Sequence, residues 1–114
     1  MAVIAYAVPI LPGQSEAAAS FQTDLDAAGL RGDYEALNSR AQVRRHLEWV
    51  EPLPSGDLLV VVLDTGAPHL VARRFEDTAY DRWWRERVER IHGFDPDAGG
   101  VAPKLTWSWK SDAP

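Results

Sequence analysis

Hydrophobic and polar positions along the chain switch repeatedly between a period of two and a period near 3.6, and the switches delimit its elements. Residues 2–8 (AVIAYAV) are apolar at alternating positions of both sets, which predicts a strand covered on two faces. A turn at Pro12-Gly13-Gln14-Ser15 follows, with Ser15 placed to cap a helix whose apolar positions are Ala18, Phe21, Leu25 and Ala28. Gly29 and Gly32 end that helix. Asp33 is expected to cap a second one running through Tyr34, Leu37 and Ala41 toward Arg45, with Arg40, Arg44 and Arg45 in its last turns. His46 to Pro52 (HLEWVEP) alternates as an edge strand, with Leu47, Trp49 and Glu51 on one face and His46, Glu48 and Val50 on the other. The turn Pro54-Ser55-Gly56-Asp57 leads into Leu58 to Leu63 (LLVVVL), a β-branched run suited to a central strand paired with the one before it. Pro68 starts a short helix over 69–75. Thr78 and Asp81 form the opening of the longest helix, Ala79 to His92, which Gly93 stops. Its apolar stripe is Tyr80, Trp84, Val88 and Ile91 with Trp83 at the margin. The pairs Asp81/Arg85, Arg82/Glu86 and Glu86/Arg90 are expected on its solvent side. Leu105 to Lys110 (LTWSWK) alternates as a fourth strand, and residues 111–114 are expected to fray.

This order of strands and helices predicts an α+β fold: a ferredoxin-like four-stranded antiparallel sheet with helices on one face, formed by a single domain over 1–114. A sheet covered on one face only should be polar on the other. Here the first and third strands are apolar throughout and the fourth carries Trp107 and Trp109. A second copy of the chain is the economical cover, so a homodimer is expected, with two sheets packed face to face.

Composition narrows the chemistry. The chain of 114 residues has no cysteine, which excludes disulfides, thiolate catalysis and cysteine-held metals. A net charge of −5 argues against a nucleic-acid partner. The first apolar stretch stops at Pro12 and lacks both a basic flank and a cleavage signal, so neither a membrane span nor a leader is expected, and the location expected is cytoplasmic.

The stretch Tyr80-Asp81-Arg82-Trp83-Trp84 to Ile91-His92-Gly93-Phe94-Asp95, followed by a Trp-rich last strand, resembles small bacterial proteins of the dimeric α+β-barrel superfamily. These are related in fold to antibiotic-biosynthesis-type monooxygenases. The resemblance implies a barrel-like dimer of ferredoxin-like subunits. Members of the superfamily include cofactor-free monooxygenases of aromatic polyketides, haem-degrading enzymes, lactone isomerases and cyclases, so it implies a fold and no single reaction.

Three histidines, His46, His69 and His92, are the groups suited to proton transfer near neutrality. His92, at the end of the longest helix and near Asp95, is the first candidate base; the alternative is a cation at a helix C-terminus. His46 is the second candidate base, set against a plain edge histidine, and His69 is a candidate ligand contact, set against a surface position. Tyr6 is the candidate hydroxyl for orienting a substrate oxygen. Trp49, Trp84 and Trp107 are candidates for stacking a planar ligand, set against a role in the core or interface. The histidine spacing fits no metal motif, and no nucleotide motif or nucleophile elbow is present, so neither metal nor cofactor is expected. The arginines of the longest helix and Arg73-Arg74 are interleaved with acids and read as a solvated face, and Gly99-Gly100 as a flexible loop. The expected function is binding of a small aromatic or polyketide-like molecule between sheet and helices, with cofactor-independent oxygenation, isomerisation or cyclisation. A non-catalytic binding or interaction module and a haem-binding protein are the alternatives.

Overall fold

The computed structural model describes residues 2–71 and 78–96. Strand β1 (Ala2–Pro9) is followed by helices α1 (Ser15–Ala19), α2 (Phe21–Ala27) and α3 (Arg31–Arg40), then strands β2 (Val43–Glu51) and β3 (Leu58–Thr65), and helices α4 (Pro68–Val71) and α5 (Ala79–His92). The architecture is α+β. Among the described residues the sheet has three antiparallel strands in the order β1-β3-β2. The expected fourth strand over 105–110, with Trp107 and Trp109, lies outside the described residues, as do Arg73-Arg74, Gly99-Gly100 and the end of the chain. No helix among the described residues is long and apolar enough to cross a membrane.

The β-branched run suits the central position because residues 58–63 supply apolar side chains to both faces. Directly opposed residues share a face. Tyr6, Val61 and Glu48 stand in one row across the sheet, Val8, Leu59 and Val50 in the next, and Ile4, Leu63 and His46 in a third. These rows face the helices, where Val61, Leu63 and Thr65 are buried. The opposite face carries Ala5, Val62 and Leu47, then Ala7, Val60 and Trp49. That face is open: Val3 is 69% and Trp49 51% exposed.

The helices depart from the expected boundaries at two places. The single helix expected over 15–28 is two, because Ser20 breaks it. Its hydroxyl donates to the Ala17 carbonyl at 2.9 Å and to the Asp24 carboxylate at 2.8 Å, a local alternative to the helical ladder. Ser15 is the first helical residue and not the cap; its hydroxyl donates to the Asp57 carboxylate at 2.5 Å, tying α1 to the β2–β3 turn. The next helix begins at Arg31, with Asp33 in its first turn, and ends at Arg40. Arg44 and Arg45 therefore belong to β2 and not to a helix end. Gln42 adopts a left-handed φ of 54°, and the fully buried Thr65 hydroxyl donates to the Ala41 carbonyl at 2.8 Å while accepting from the Ala67 amide at 3.0 Å. That tertiary anchor turns the chain into a strand at Val43. A bulge between Val43 and Arg45 absorbs one residue before regular pairing begins.

Helix α5 has the expected bounds. Thr78 accepts a hydrogen bond from the Asp81 amide at 3.2 Å, and Gly93 closes the other end in the left-handed region, donating to Glu89 at 2.9 Å. Thr78→Ala is expected to lower stability by about 1 kcal/mol, read as a drop in the urea midpoint at unchanged slope. An undiminished midpoint would mean that the cap contributes nothing.

The helix is less solvated than its charges suggest. Asp81 is buried against Arg85 at 3.0 Å, and Arg87 is buried too. The Arg87 guanidinium donates to Asp24 at 2.6 Å and to the Ala17 carbonyl at 2.6 Å, and lies 5.5 Å from the ring centroids of both Phe21 and Trp83. It thus corrects the expectation of a solvated arginine: flanked by two rings, the charge costs less to bury when an acid and a carbonyl take its protons. Two apolar clusters complete the interior. One joins Leu25, Leu37 and Tyr80 with Phe21, Tyr34, Trp83 and Trp84; the other joins Ile10, Ala18 and Ile91 with Val50 and Leu59.

Asp24 is held below its ordinary carboxylate range, chiefly by the hydrogen bond from Arg87 and then by that from Ser20. A lowered native pKa means that the charged form favours folding above the ordinary range and that this contribution disappears as pH falls through the native value. Asp24→Asn is expected to be less stable than the wild type at neutral pH, with the difference closing in acid. Urea midpoints of the two proteins across that range test it; a gap independent of pH would contradict it.

Candidate functional site

Where edge strand β2 passes under α1 and α2, the helices leave a recess of about 300 Å³ lined by Ala18, Ala19, Phe21, Gln22, His46, Glu48, Trp49, Val50 and Leu59. Alternation along β2 brings His46, Glu48 and Val50 to the helix side, so an acid and an imidazole two residues apart share one wall. The floor and far wall are apolar, contributed by the alanines of α1, by Val50 and Leu59, and by Phe21.

The polar wall is a chain of three groups. Glu48 Oε2 lies 2.7 Å from His46 Nε2, and the Tyr34 hydroxyl lies 2.5 Å from His46 Nδ1. Tyr34 and Nδ1 share one hydrogen bond, while the Glu48 carboxylate stands beside the other ring nitrogen. The side chains of His46 and Glu48 are 14% and 21% exposed, so the pair is largely withdrawn from water yet borders the recess.

Aromatic packing fixes the ring. Phe21 meets His46 edge-on at 5.6 Å and Tyr34 edge-on at 5.6 Å, and Tyr34 rests at 5.7 Å on Tyr80, which is 2% exposed. The imidazole is therefore held by a hydrogen bond at Nδ1, by the Glu48 carboxylate beside Nε2 and by a phenyl ring, on elements anchored in the core. Such a pair has one evident capacity: the Glu48 carboxylate, beside the imidazole and partly withdrawn from water, can accept a proton from a ligand in the recess.

Of the residues singled out from the sequence, His46 and Trp49 are brought to this recess. The reading of His46 as a plain exposed edge histidine is corrected, because Tyr34, Phe21 and Glu48 enclose it. The remaining candidates lie elsewhere. His92 places Nδ1 2.8 Å from the Pro9 carbonyl and its ring 6.2 Å from Phe94, joining the end of α5 to β1. Asp95 is exposed beyond that helix end, and His69 is exposed on α4. Tyr6 is half-buried on the helix side of β1, opposite Val61, and does not line the recess. Trp84 packs against the Leu25, Leu37 and Tyr80 cluster. Trp107 lies outside the described residues.

Tyr34, Phe21 and Gln22 are the site residues that sequence reasoning passed over. Tyr34 and Phe21 stand at apolar helix positions and look like core, which they also are; only the crossing of α2 and α3 over β2 turns them toward His46. Glu48 had a legible signal in the i, i+2 spacing from His46 on an alternating strand. Comparison of the chain with known protein families, with curated proteins and with solved structures yields no match, so its function is argued from the site alone.

Proposed function

We propose that the protein binds a small aromatic or polyketide-like molecule in the recess at the β2 edge and catalyses a cofactor-independent proton transfer on it, of the kind that opens an isomerisation or cyclisation. The observation that carries this reading is the Tyr34–His46–Glu48 chain in the wall of an otherwise apolar recess. A planar ligand has Phe21 to lie against, and its acidic C–H or O–H has the Glu48 carboxylate as acceptor. Glu48 stands toward the ligand as the proton acceptor, and His46, held by Tyr34 and Phe21, positions its carboxylate.

Phenylacetone, an aryl ketone small enough for the recess, tests this. Exchange of its α-hydrogens in deuterium oxide, followed by proton NMR, is expected to be accelerated above buffer and to saturate with ketone concentration. Saturable binding without acceleration would replace the reading with a non-catalytic binding module. Absence of binding would overturn it.

The reading includes a quaternary arrangement. We propose that the chain forms a homodimer in the manner of the dimeric α+β barrels, a ferredoxin-like four-stranded sheet in each subunit meeting its copy across the open face. The support is chemical: that face presents Val3, Ala5, Ala7, Leu47, Val60, Val62 and Trp49, with the charges Asp64, Arg45 and Glu51 kept to its two ends, an apolar patch of the kind that interfaces bury. Sedimentation equilibrium is expected to give a dimer, and Val62→Lys, which puts a charge at the centre of the face, a monomer. A monomeric wild type would refute the dimer.

A further inference from the structure

We infer that the ligand of the β2-edge recess carries a cationic amine on its aromatic frame, a statement that rests on the recess being a binding site and names the charge of its occupant. Among the described residues the recess is lined by one carboxylate, Glu48, one amide, Gln22, and no lysine or arginine. His46 is committed on both sides, with Nε2 at 2.7 Å from Glu48 and Nδ1 at 2.5 Å from the Tyr34 hydroxyl, so it offers no donor to an anion unless that chain breaks.

Glu48 stands differently. A carboxylate has about four lone-pair directions and the His46 contact uses one of them, so a donor within the recess is the partner its chemistry suits. The chain's net charge of −5 favours the encounter with a cation and opposes that with an anion. A carboxylate or phosphate ligand would instead meet a like charge at Glu48 with no compensating base.

Three probes of one shape separate the possibilities: 2-phenylethylamine, 2-phenylethanol and 3-phenylpropanoate. Each is titrated into the full chain at mildly alkaline pH, where the amine is charged, with tryptophan fluorescence and proton NMR shifts as readouts. The amine is expected to bind about tenfold more tightly than the alcohol, because a charge-assisted contact is stronger than a neutral one, and the acid more weakly than either. Glu48→Gln, which keeps size and a hydrogen-bonding oxygen, is expected to bring amine and alcohol within about twofold of each other. Circular dichroism checks that the variant folds; should Glu48→Gln not fold, the wild-type ranking of the three probes carries the test. Equal binding of the three probes, or preference for the acid, overturns the charge assignment while leaving the recess as a binding site. Binding of none overturns both.

Discussion

His46→Ala is expected to slow the α-hydrogen exchange of phenylacetone by about 10²- to 10⁴-fold, the range that positioned acid–base groups contribute. The size of the effect follows from the geometry. Glu48 lies 2.7 Å from the imidazole, and without that ring the carboxylate that accepts the proton loses the neighbour that holds it in place. Glu48→Gln is expected to cost a similar factor, and the double variant little more, since groups acting as a unit do not lose activity additively. Tyr34→Phe keeps the ring that packs on Tyr80 and removes only the hydroxyl at 2.5 Å from Nδ1. One hydrogen bond is worth about 0.5–1.5 kcal/mol, so the rate is expected to fall by no more than about tenfold. A Tyr34→Phe variant as impaired as His46→Ala would assign the phenol a direct part in the proton transfer. A His46→Ala variant with full activity would remove the pair from the chemistry.

Tyr80→Ala is expected to destabilise the chain by about 3–5 kcal/mol, the usual result of truncating a large buried aromatic residue. Tyr80 is 2% exposed and lies among Leu25 and Leu37, with Tyr34 at 5.7 Å and Trp83 at 5.8 Å. Its loss opens a cavity where α2, α3 and α5 meet, and those helices have few ways to collapse into it because Arg87 ties α5 to Asp24 and Ala17. Against a marginal total stability for a domain of this size, the variant is expected to unfold at temperatures the wild type withstands. Thermal unfolding followed by circular dichroism measures the shift; a change below about 1 kcal/mol would mean that the cluster relaxes freely. Tyr80→Phe keeps the volume and is expected to recover most of the loss. The same truncation removes the surface under Tyr34, so ligand binding in whatever native protein remains is expected to weaken as well.

The two effects differ in how far they were legible in the chain. Helix α5 was readable from end to end, since Thr78, Asp81 and Gly93 are local signals and Tyr80, Val88 and Ile91 recur on one stripe. The three described strands were readable for the same reason, within a few residues. Local signals failed where a distant residue decides the outcome: α3 stops at Arg40 because Thr65, far along the chain, takes the Ala41 carbonyl, and nothing between 38 and 45 announces it. Arg87 illustrates the same limit, for its sequence neighbours Glu86 and Glu89 suggest a solvated face, while its own side chain is taken by Asp24 and by the rings of Phe21 and Trp83.

The site divides in the same way. The sequence by itself determined that the chain is α+β, that β3 is a central strand and β2 its partner, and that His46 and Glu48 share a face, because backbone periodicity and pairing act over a few residues and leave their mark in the order of side chains. Only the tertiary structure decided that this face meets Tyr34 and Phe21, that His92 and Tyr6 lie away from the recess, and that the β2 edge is where the helices leave room. Those are properties of how α2 and α3 cross the sheet, and the crossing is set by the summed packing of residues far apart in the chain, such as Leu25, Leu37 and Tyr80, which no local pattern encodes.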